Sequence, residues 1–135
     1  MPGYSGTPLP KKLGIKDGFQ YALIDAPPDV IAALKPSLQK CNAANDAKIP
    51  LDFVMLFAKS TAALKKEFGK TAKNLSSAGM LWVSWPKKAS GVETDLNENI
   101  VRDIGLAAGL VDVKVCAVTD VWSGLKFVRR LKDRK

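Results

Sequence analysis

The sequence contains no histidine in its 135 residues. Histidine is the side chain that titrates nearest neutral pH, the usual base in Ser–His–Asp and Cys–His catalysis, and a common zinc ligand. Its absence excludes those three kinds of site. Any catalysis by this chain would depend on carboxylates, lysines, a cysteine or a bound cofactor.

Cysteine and long apolar segments are also scarce. Cys41 and Cys116 have neither metal-site nor redox-pair spacing, so we expect two reduced, buried thiols and no metal. No apolar run approaches the roughly 20 residues of a membrane-spanning helix. The first residues lack the charged segment and apolar stretch of a signal peptide. These features favour a cytoplasmic protein that does not contact membranes.

The composition is that of a globular protein, with 47% hydrophobic and 25% charged residues. The net charge of +8, from 21 basic and 13 acidic residues, favours polyanionic partners. The excess is concentrated at the end of the sequence, where only Asp133 opposes the basic residues. These are Lys126, Arg129, Arg130, Lys132, Arg134 and Lys135.

We predict an N-terminal arm and turn over residues 1–18, one α/β domain over 19–131 and a basic tail over 132–135. Prolines and glycines discourage regular structure in the arm. Three apolar residues could still pin it to the domain: Leu9, Leu13 and Ile15.

The first half of the domain alternates strands and helices. We predict a strand over 19–24, then a helix that has Pro28 in its first turn and that Pro36 kinks or ends. Residues 41–50 are predicted as a loop with a short extended piece, and residues 51–58 as a buried strand. Ser60 is the predicted cap of the next helix. Its apolar face is assigned to Leu64, Phe68 and Leu75, and its solvated face to Lys65, Lys66, Lys70 and Lys73.

The second half ends in a hairpin. A third strand is predicted over 80–85 after Gly79, and a helix that Asp95 and Glu98 open as a capping box and Gly109 ends. The buried face of this helix is assigned to Leu96, Ile100, Val101 and Ile104. Strands over 111–119 and 125–131 flank a turn at 120–124, which is too short for a parallel crossover. We therefore predict a small Rossmann-like α/β three-layer sandwich, with a mainly parallel sheet and a C-terminal antiparallel hairpin.

Candidate ligand-binding residues follow the predicted strands, because ligands of open α/β sheets bind beyond the carboxyl ends of the strands. The loops there are 25–28, 59–61, 85–95 and 119–123. Basic and hydroxyl side chains before a helix N-terminus favour an anion site, and a glycine beside them permits close backbone approach. The alternative is a solvated loop with a structural glycine and an ordinary cap. The candidate residues are Asp25, Trp85, Lys87, Lys88, Ser90, Gly91, Asp95 and Trp122.

The sequence leaves open the roles of the tryptophans and of Asp25 and Asp95. Trp82 and Trp85 face opposite sides of a regular strand, so one is assigned to the core, while the other could frame a pocket or interface with Trp122. Trp122 could equally be a core residue. Asp25, at a strand end, is a better acid–base candidate than Asp95, for which a capping role is sufficient.

Three stretches of the sequence resemble the bacterial Domain of Unknown Function 3052 family (DUF3052). They are GYSGTPL with KKLGI (residues 3–9 and 11–15), LWVSWPKKASGV with TDL (81–92 and 94–96), and GLVD with KVCA and WSGLKF (109–112, 114–117 and 122–127). The resemblance spans nearly the whole chain and is weakest over 29–50. Since that family is uncharacterised, it implies no activity.

The element order also resembles the class I S-adenosylmethionine-dependent methyltransferases. That resemblance implies a cofactor loop after the first strand, where glycines let the backbone approach the cofactor. Here the loop reads DAPP (residues 25–28), with two prolines and no glycine. We therefore predict no cofactor bound in the usual way.

These observations yield three hypotheses of function. The first is a non-enzymatic binding or regulatory domain that holds a small anionic ligand or a protein partner at the 85–95 loop. The second is a reduced methyltransferase-like protein that binds S-adenosylmethionine. The third is a nucleic-acid-binding protein that uses its basic tail, because lysine and arginine neutralise phosphates.

Overall fold

The computed structural model describes residues 8–44 and 49–134. The glycines predicted to break structure at the start of the arm, and the polar residues Asn45 and Asp46 of the predicted loop, lie outside these residues. No helix in the described ranges is long and apolar enough to cross a membrane.

Helices and strands alternate along the described chain. In order they are α1 (Leu9–Leu13), β1 (Gln20–Ile24), α2 (Pro28–Leu38), β2 (Asn42–Ala43), β3 (Leu51–Phe57), α3 (Thr61–Lys73), β4 (Leu75–Pro86), α4 (Glu98–Ala107), β5 (Leu110–Ala117) and β6 (Trp122–Arg129). Short 3-10 turns follow β4 at Lys88–Ser90 and β6 at Leu131–Asp133. Leu131 therefore lies beyond the last strand, which was predicted to include it.

The strands form a six-stranded sheet of order β2-β1-β3-β4-β6-β5. The pairs β1–β2, β1–β3 and β3–β4 are parallel, whereas β6 runs antiparallel to both β4 and β5. The Rossmann-like α/β class and the C-terminal antiparallel hairpin are therefore confirmed. The short extended piece predicted within 41–50 is the edge strand β2.

Each face of the sheet has its own apolar core, which gives the three layers. On the α3–α4 face, Leu64 and Phe68 of α3 and Val101 of α4 are buried with Leu56 and Leu125. The α1–α2 face has a separate core, whose members from helices and strands include Leu13, Val30, Leu34, Phe53, Met55, Trp82 and Trp122. The alternation of side chains along a strand separates the two cores.

The arm contains a helix that was not predicted. Pro8 and Pro10 lie at or before the first turn of α1, where a missing N–H costs nothing, and Gly14 ends the helix at φ 85°. The Leu13 side chain is fully buried, and its carbonyl accepts a hydrogen bond of 2.9 Å from Trp82 Nε1. The predicted pinning of the arm is correct, because these contacts hold α1 against the sheet.

In α2 the structure excludes one of two predicted alternatives, the end of the helix at Pro36, and in α4 the predicted start is wrong. α2 begins at Pro28 as expected but continues past Pro36 to Leu38, because a proline in the last turn removes little of the helix. α4 begins at Glu98, with Asn97 as its cap, and its Asn97 Oδ1 accepts from Ile100 N at 2.9 Å. The capping box at Asp95 is therefore wrong, and Leu96, though buried, precedes the helix.

The strand β4 is longer than predicted. It begins at Leu75, which was assigned to the preceding helix, so Gly79 lies inside the strand and not before it. A Cβ at Gly79 would lie 2.5 Å from the carbonyl oxygen of Leu51, where the pairing of β3 with β4 shifts register. Glycine is required there because the two backbones approach closely.

Both cysteines are free, but they differ in burial. Cys116 is buried on β5, and burial raises the pKa of its thiol, although Lys12, Lys114 and Lys87 act in the opposite direction. Cys41 is only half-buried, in contrast to the prediction, and its Sγ lies 3.2 Å from the carbonyl oxygen of Lys16.

Candidate functional site

The strand order reverses between β1 and β3. The chain leaves β1 for the edge strand β2 and then returns to the other side of β1 as β3. Such a reversal opens a crevice at the carboxyl ends of the two strands. A cavity of about 570 Å³ lies there, lined by Asp25, Pro27, Phe57, Ala58, Lys59, Ser60, Ala63, Val92, Val121 and Trp122.

Asp25 follows the last residue of β1 and contributes an exposed carboxylate to the cavity. Its φ of 57° lies in the left-handed region, and it is the one non-glycine residue of the described chain with a positive φ. Such backbone is uncommon outside glycine, although aspartate tolerates it better than most residues. Asp25 thus makes the turn that a glycine would ordinarily make at this position.

The N-terminus of α2, at the same edge, offers few hydrogen-bond donors. Its cap is Pro27 and its first residue is Pro28, neither of which has a backbone N–H. Val30 N and Ile31 N both donate to the Pro27 carbonyl, and Asp29 adds a negative charge to the first turn. This helix end is therefore poorly suited to phosphate, which needs free N–H groups and positive potential.

The opposite wall comes from the end of β3 and the start of α3. The Lys59 side chain is exposed, whereas Ser60 Oγ accepts from Ala63 N at 3.1 Å and caps α3, as predicted. Phe57 and Trp122 meet edge to face, with ring centroids 5.1 Å apart. The cavity therefore combines one carboxylate, one ammonium group and a largely apolar lining.

A buried hydroxyl lies beside this aromatic pair. Ser84 on β4 pairs with Phe57 on one side and Gly124 on the other. Its Oγ is buried and has no hydrogen-bond partner among the described residues. A buried hydroxyl without a hydrogen-bond partner typically lowers stability by about 1–3 kcal/mol. The sheet therefore has an unsatisfied polar group at Ser84.

The loop after β4 is tied to the start of α3. Thr94 Oγ1 donates to the Lys59 carbonyl at 2.6 Å, and Asp95 Oδ1 accepts from Thr61 N at 2.7 Å. Asp95 therefore satisfies a free donor at the N-terminus of α3 and not of α4. Ser90 Oγ donates to the Lys87 carbonyl at 2.6 Å and accepts from Val92 N at 3.2 Å, which stabilises the turn itself.

The structure brings together only some of the candidate residues. Asp25 and Trp122 line the cavity between β1 and β3, whereas Trp85 is buried in the α3–α4 core. Trp82 and Trp85 lie on opposite faces, as their spacing predicts, but both are core residues, and neither lines the cavity with Trp122. Lys88, Gly91 and Asp95 line a separate, smaller groove of about 430 Å³ along the loop. Lys87 is half-buried, and Ser90 is the last residue of the 3-10 turn Lys88–Ser90.

Of the ten residues that line the cavity, only Asp25 and Trp122 were singled out as candidates from the sequence, and Lys59 and Phe57 are instructive among the others. Lys59 lies in one of the four predicted loops, so a signal for it existed. Phe57 ends a uniformly apolar run, and nothing in that run separates a wall of the cavity from a core position. The edge-to-face contact with Trp122 joins residues that are distant in the sequence.

Comparison with solved structures identifies the architecture. A magnesium protoporphyrin IX methyltransferase from Synechocystis PCC 6803, solved with bound SAH, superposes with a TM-score of 0.50 at 14% identity over 75% of this chain. LepI in complex with SAM gives 0.54 at 12% identity over 90% of it. A precorrin-6y C5,15-methyltransferase from Geobacter metallireducens gives 0.56 at 9% identity over 90% of it. The fold is methyltransferase-like.

The extent of the match differs among these proteins. This chain spans 59% of the Synechocystis enzyme and 39% of LepI, but 86% of the Geobacter protein. At such low identity the likeness concerns the fold alone. No family model matches the sequence, and no curated protein matches it either. The resemblance to the DUF3052 family is therefore not confirmed and stays a prediction.

Proposed function

We propose that this chain is a methyltransferase-like protein that binds S-adenosylmethionine in the cavity between β1 and β3. One observation carries the proposal: the cavity lies where the strand order of a methyltransferase-like sheet reverses. Ligands of open α/β sheets bind at that point. The first hypothesis, an anionic ligand or a protein partner at the 85–95 loop, gains no support from the comparisons and stays a prediction.

The cavity suits this cofactor in size and charge. Its volume of about 570 Å³ falls within the range of roughly 300–1,000 Å³ typical of small-molecule sites. Ala58, Ala63 and Val121 offer apolar surface to a base. Asp25 can accept hydrogen bonds from ribose hydroxyls or from an ammonium group, and Lys59 can pair with a carboxylate.

The prolines at the start of α2 favour this cofactor over a nucleotide. A nucleotide presents phosphates to a helix N-terminus, but Pro27 and Pro28 supply no N–H there. S-adenosylmethionine has no phosphate, so the loss of these donors does not exclude it. The left-handed backbone of Asp25 supplies the turn for which glycine was expected. The residues present therefore fit the cofactor.

The contributions of the chain would be binding and orientation. S-adenosylmethionine supplies an activated methyl group on its sulfonium when bound. Asp25 would hold the cofactor through its carboxylate, while the edge-to-face pair of Phe57 and Trp122 would keep water from one side of the cavity. No histidine is present to remove a proton from an acceptor, so an acceptor that needs a base would have to use a carboxylate or lysine.

Calorimetric titration with S-adenosylmethionine and S-adenosylhomocysteine tests the proposal. Asp25→Asn should weaken binding by about tenfold or more, because hydrogen bonds to a charged group contribute roughly 1.5–3 kcal/mol. Asp29→Asn is the matched control, since Asp29 lies four residues away on α2, does not line the cavity and loses the same charge.

Two results would contradict the proposal. One is the absence of binding at millimolar cofactor, and the other is equal binding by the Asp25→Asn and Asp29→Asn variants. ATP in the same titration distinguishes ligand classes. If ATP bound more tightly than S-adenosylmethionine, the cavity would be a phosphate site, and the argument from the prolines would be wrong.

A further inference from the structure

Two lysines oppose each other directly on the C-terminal hairpin. Lys114 on β5 and Lys126 on β6 are cross-strand partners, and Lys126 is also paired with Trp82 on β4. Because Trp82 belongs to the α1–α2 core, both lysines lie on that face of the sheet. Like charges at directly opposite positions destabilise a sheet, so this pair has a structural cost.

The arm adds further basic groups to the same face. Lys114 Nζ donates to the Lys12 carbonyl at 3.2 Å, and Lys12 Nζ donates to the Ala117 carbonyl at 3.0 Å. Lys16 follows α1 and acts electrostatically on Lys126, and Lys87 acts on Cys116 from the loop after β4. We call Lys16, Lys87, Lys114 and Lys126 the lysine patch.

Within the described residues, no carboxylate forms an ion pair with a lysine of this patch. The ion pairs found among residues 8–44 and 49–134 join Lys70 to Glu67, and Arg102 to Glu98 and Asp112. None of these pairs includes a residue of the patch. Burial, followed by the charges of Lys114 and Lys16, lowers the pKa of Lys126.

We propose that the lysine patch binds the phosphate backbone of double-stranded nucleic acid, without reading its bases. Ammonium groups without carboxylate partners are complementary to closely spaced phosphates, and duplexes have the higher charge density. Single-strand binders usually add exposed aromatic side chains for stacking. Here Trp82, the aromatic residue beneath the patch, is completely buried, which favours the duplex.

Two of the basic C-terminal residues make hydrogen bonds within the chain. Arg129 Nη2 donates to the carbonyls of Leu75 and Ala72 at 2.6 and 3.1 Å, so its guanidinium joins β6 to the end of α3. Arg134 Nε donates to the Arg129 carbonyl at 3.0 Å. We therefore assign nucleic-acid binding to the lysine patch on the sheet face and not to the C-terminal tail.

Fluorescence anisotropy with a labelled DNA duplex of about 20 base pairs tests the proposal, since this length exceeds the site of one small domain. The double variant Lys114→Gln/Lys126→Gln should lower affinity roughly 60-fold at 0.1 M salt. Its slope of log affinity against log salt should be smaller by about 1.8, at about 0.9 for each phosphate that the variant no longer neutralises. The same strand without its complement should bind more weakly.

The matched control is Lys66→Gln/Lys73→Gln, which removes the same charge from exposed positions of α3. This variant should bind within a few-fold of the unmodified chain. Deletion of residues 130–135 should likewise leave the larger part of the affinity in place. Thermal melts of both double variants show whether they are folded, and relief of the like-charge pair should keep the Lys114→Gln/Lys126→Gln variant at least as stable as the parent.

Several outcomes would overturn the proposal. They are no binding of duplex at low salt, equal weakening by the two double variants, tighter binding of the single strand, or loss of binding on deletion of the tail alone. A further contrary result is binding to vesicles containing phosphatidylserine in the absence of duplex binding, which would indicate a membrane surface as the partner.

Discussion

The two faces of the β5–β6 hairpin differ in how they accommodate charge. On the α3–α4 face, Arg102 Nε donates to Asp112 at 2.9 Å, and the same guanidinium reaches Asn99 and Glu98. The hydrogen bond to Glu98, followed by the one to Asp112, raises the pKa of Arg102. On the α1–α2 face, Lys114 and Lys126 face each other without a carboxylate in an ion pair with either, within the described residues.

The two faces thus differ in whether their charged side chains form ion pairs within the fold. Arg102 and Arg129 join helices to strands, so their contacts are part of the architecture. In the lysine patch, Lys114 Nζ makes one hydrogen bond of 3.2 Å to the Lys12 carbonyl, while the like-charge pair of Lys114 and Lys126 opposes folding. The same hairpin therefore combines a face whose charges pair with its own helices and a face to which we assign the proposed polyanion. The following predictions test each face in turn.

The largest effect is expected on the α3–α4 face, at Gly105 of α4. A Cβ there would lie 2.0 Å from the Phe127 ring, which is fully buried and packs edge to face against Phe68 at 5.5 Å. Gly105→Ala should lower the free energy of unfolding by about 3 kcal/mol, because the ring has little room to move.

Gly69→Ala on α3 is the control, because nothing lies within 4 Å of the added Cβ. It should raise the free energy of unfolding by about 0.5–1 kcal/mol, as expected for a helix-interior glycine. Urea unfolding of both variants measures the difference. Equal effects in the two variants would show that α4 does not pack against Phe127 as described.

The α1–α2 face is tested by Trp82→Phe. The indole N–H donates to the Leu13 carbonyl at 2.9 Å inside the core, so the change leaves that carbonyl without its donor and opens a small cavity. We expect a loss of about 2 kcal/mol. Hydrogen exchange should accelerate at Lys12 and Gly14 of the arm and stay slow in α4. Unchanged protection of the arm would show that this hydrogen bond does not hold it.

Titration of the Cys116 thiol gives an effect of intermediate size. Burial raises the pKa of Cys116, so the folded state keeps its thiol neutral while the unfolded chain ionises near pH 8.5. Stability should be constant below that pH and fall as pH rises through the folded pKa, by about 1.4 kcal/mol for each pH unit between the two pKa values. In urea unfolding, Cys116→Ala should reduce the fall; an undiminished fall in that variant would assign the titration to another group.

Local patterns in the sequence predicted much of this fold. The three-residue spacing of Trp82 and Trp85 predicted opposite faces, Ser60 predicted a helix start, and the short 120–124 link predicted the antiparallel hairpin, all as observed. Each of these three predictions depends on residues that are close together in the sequence. Leu75 was misassigned because its apolar side chain suits the helix period as well as a strand.

Local sequence patterns could not predict features that depend on contacts between residues far apart in the chain. Asp95 caps α3 across 34 residues of chain, a bond that only the assembled sheet makes possible. Lys59 and Asp25 share a cavity because β1 and β3 are neighbours, which follows from strand order and not from spacing. The lysine patch has the same origin, since Lys114 and Lys126 meet only through hairpin register.

The smallest expected effect bears most directly on the contrast between the faces. Lys126→Met should raise the free energy of unfolding by about 0.5 kcal/mol, because it removes a half-buried ammonium group that faces Lys114 and keeps an apolar side chain on the sheet. Lys66→Met, on the exposed surface of α3, should change it by less. If Lys126→Met destabilised the protein instead, its ammonium would have a favourable partner, and the α1–α2 face would accommodate charge in the same way as the α3–α4 face.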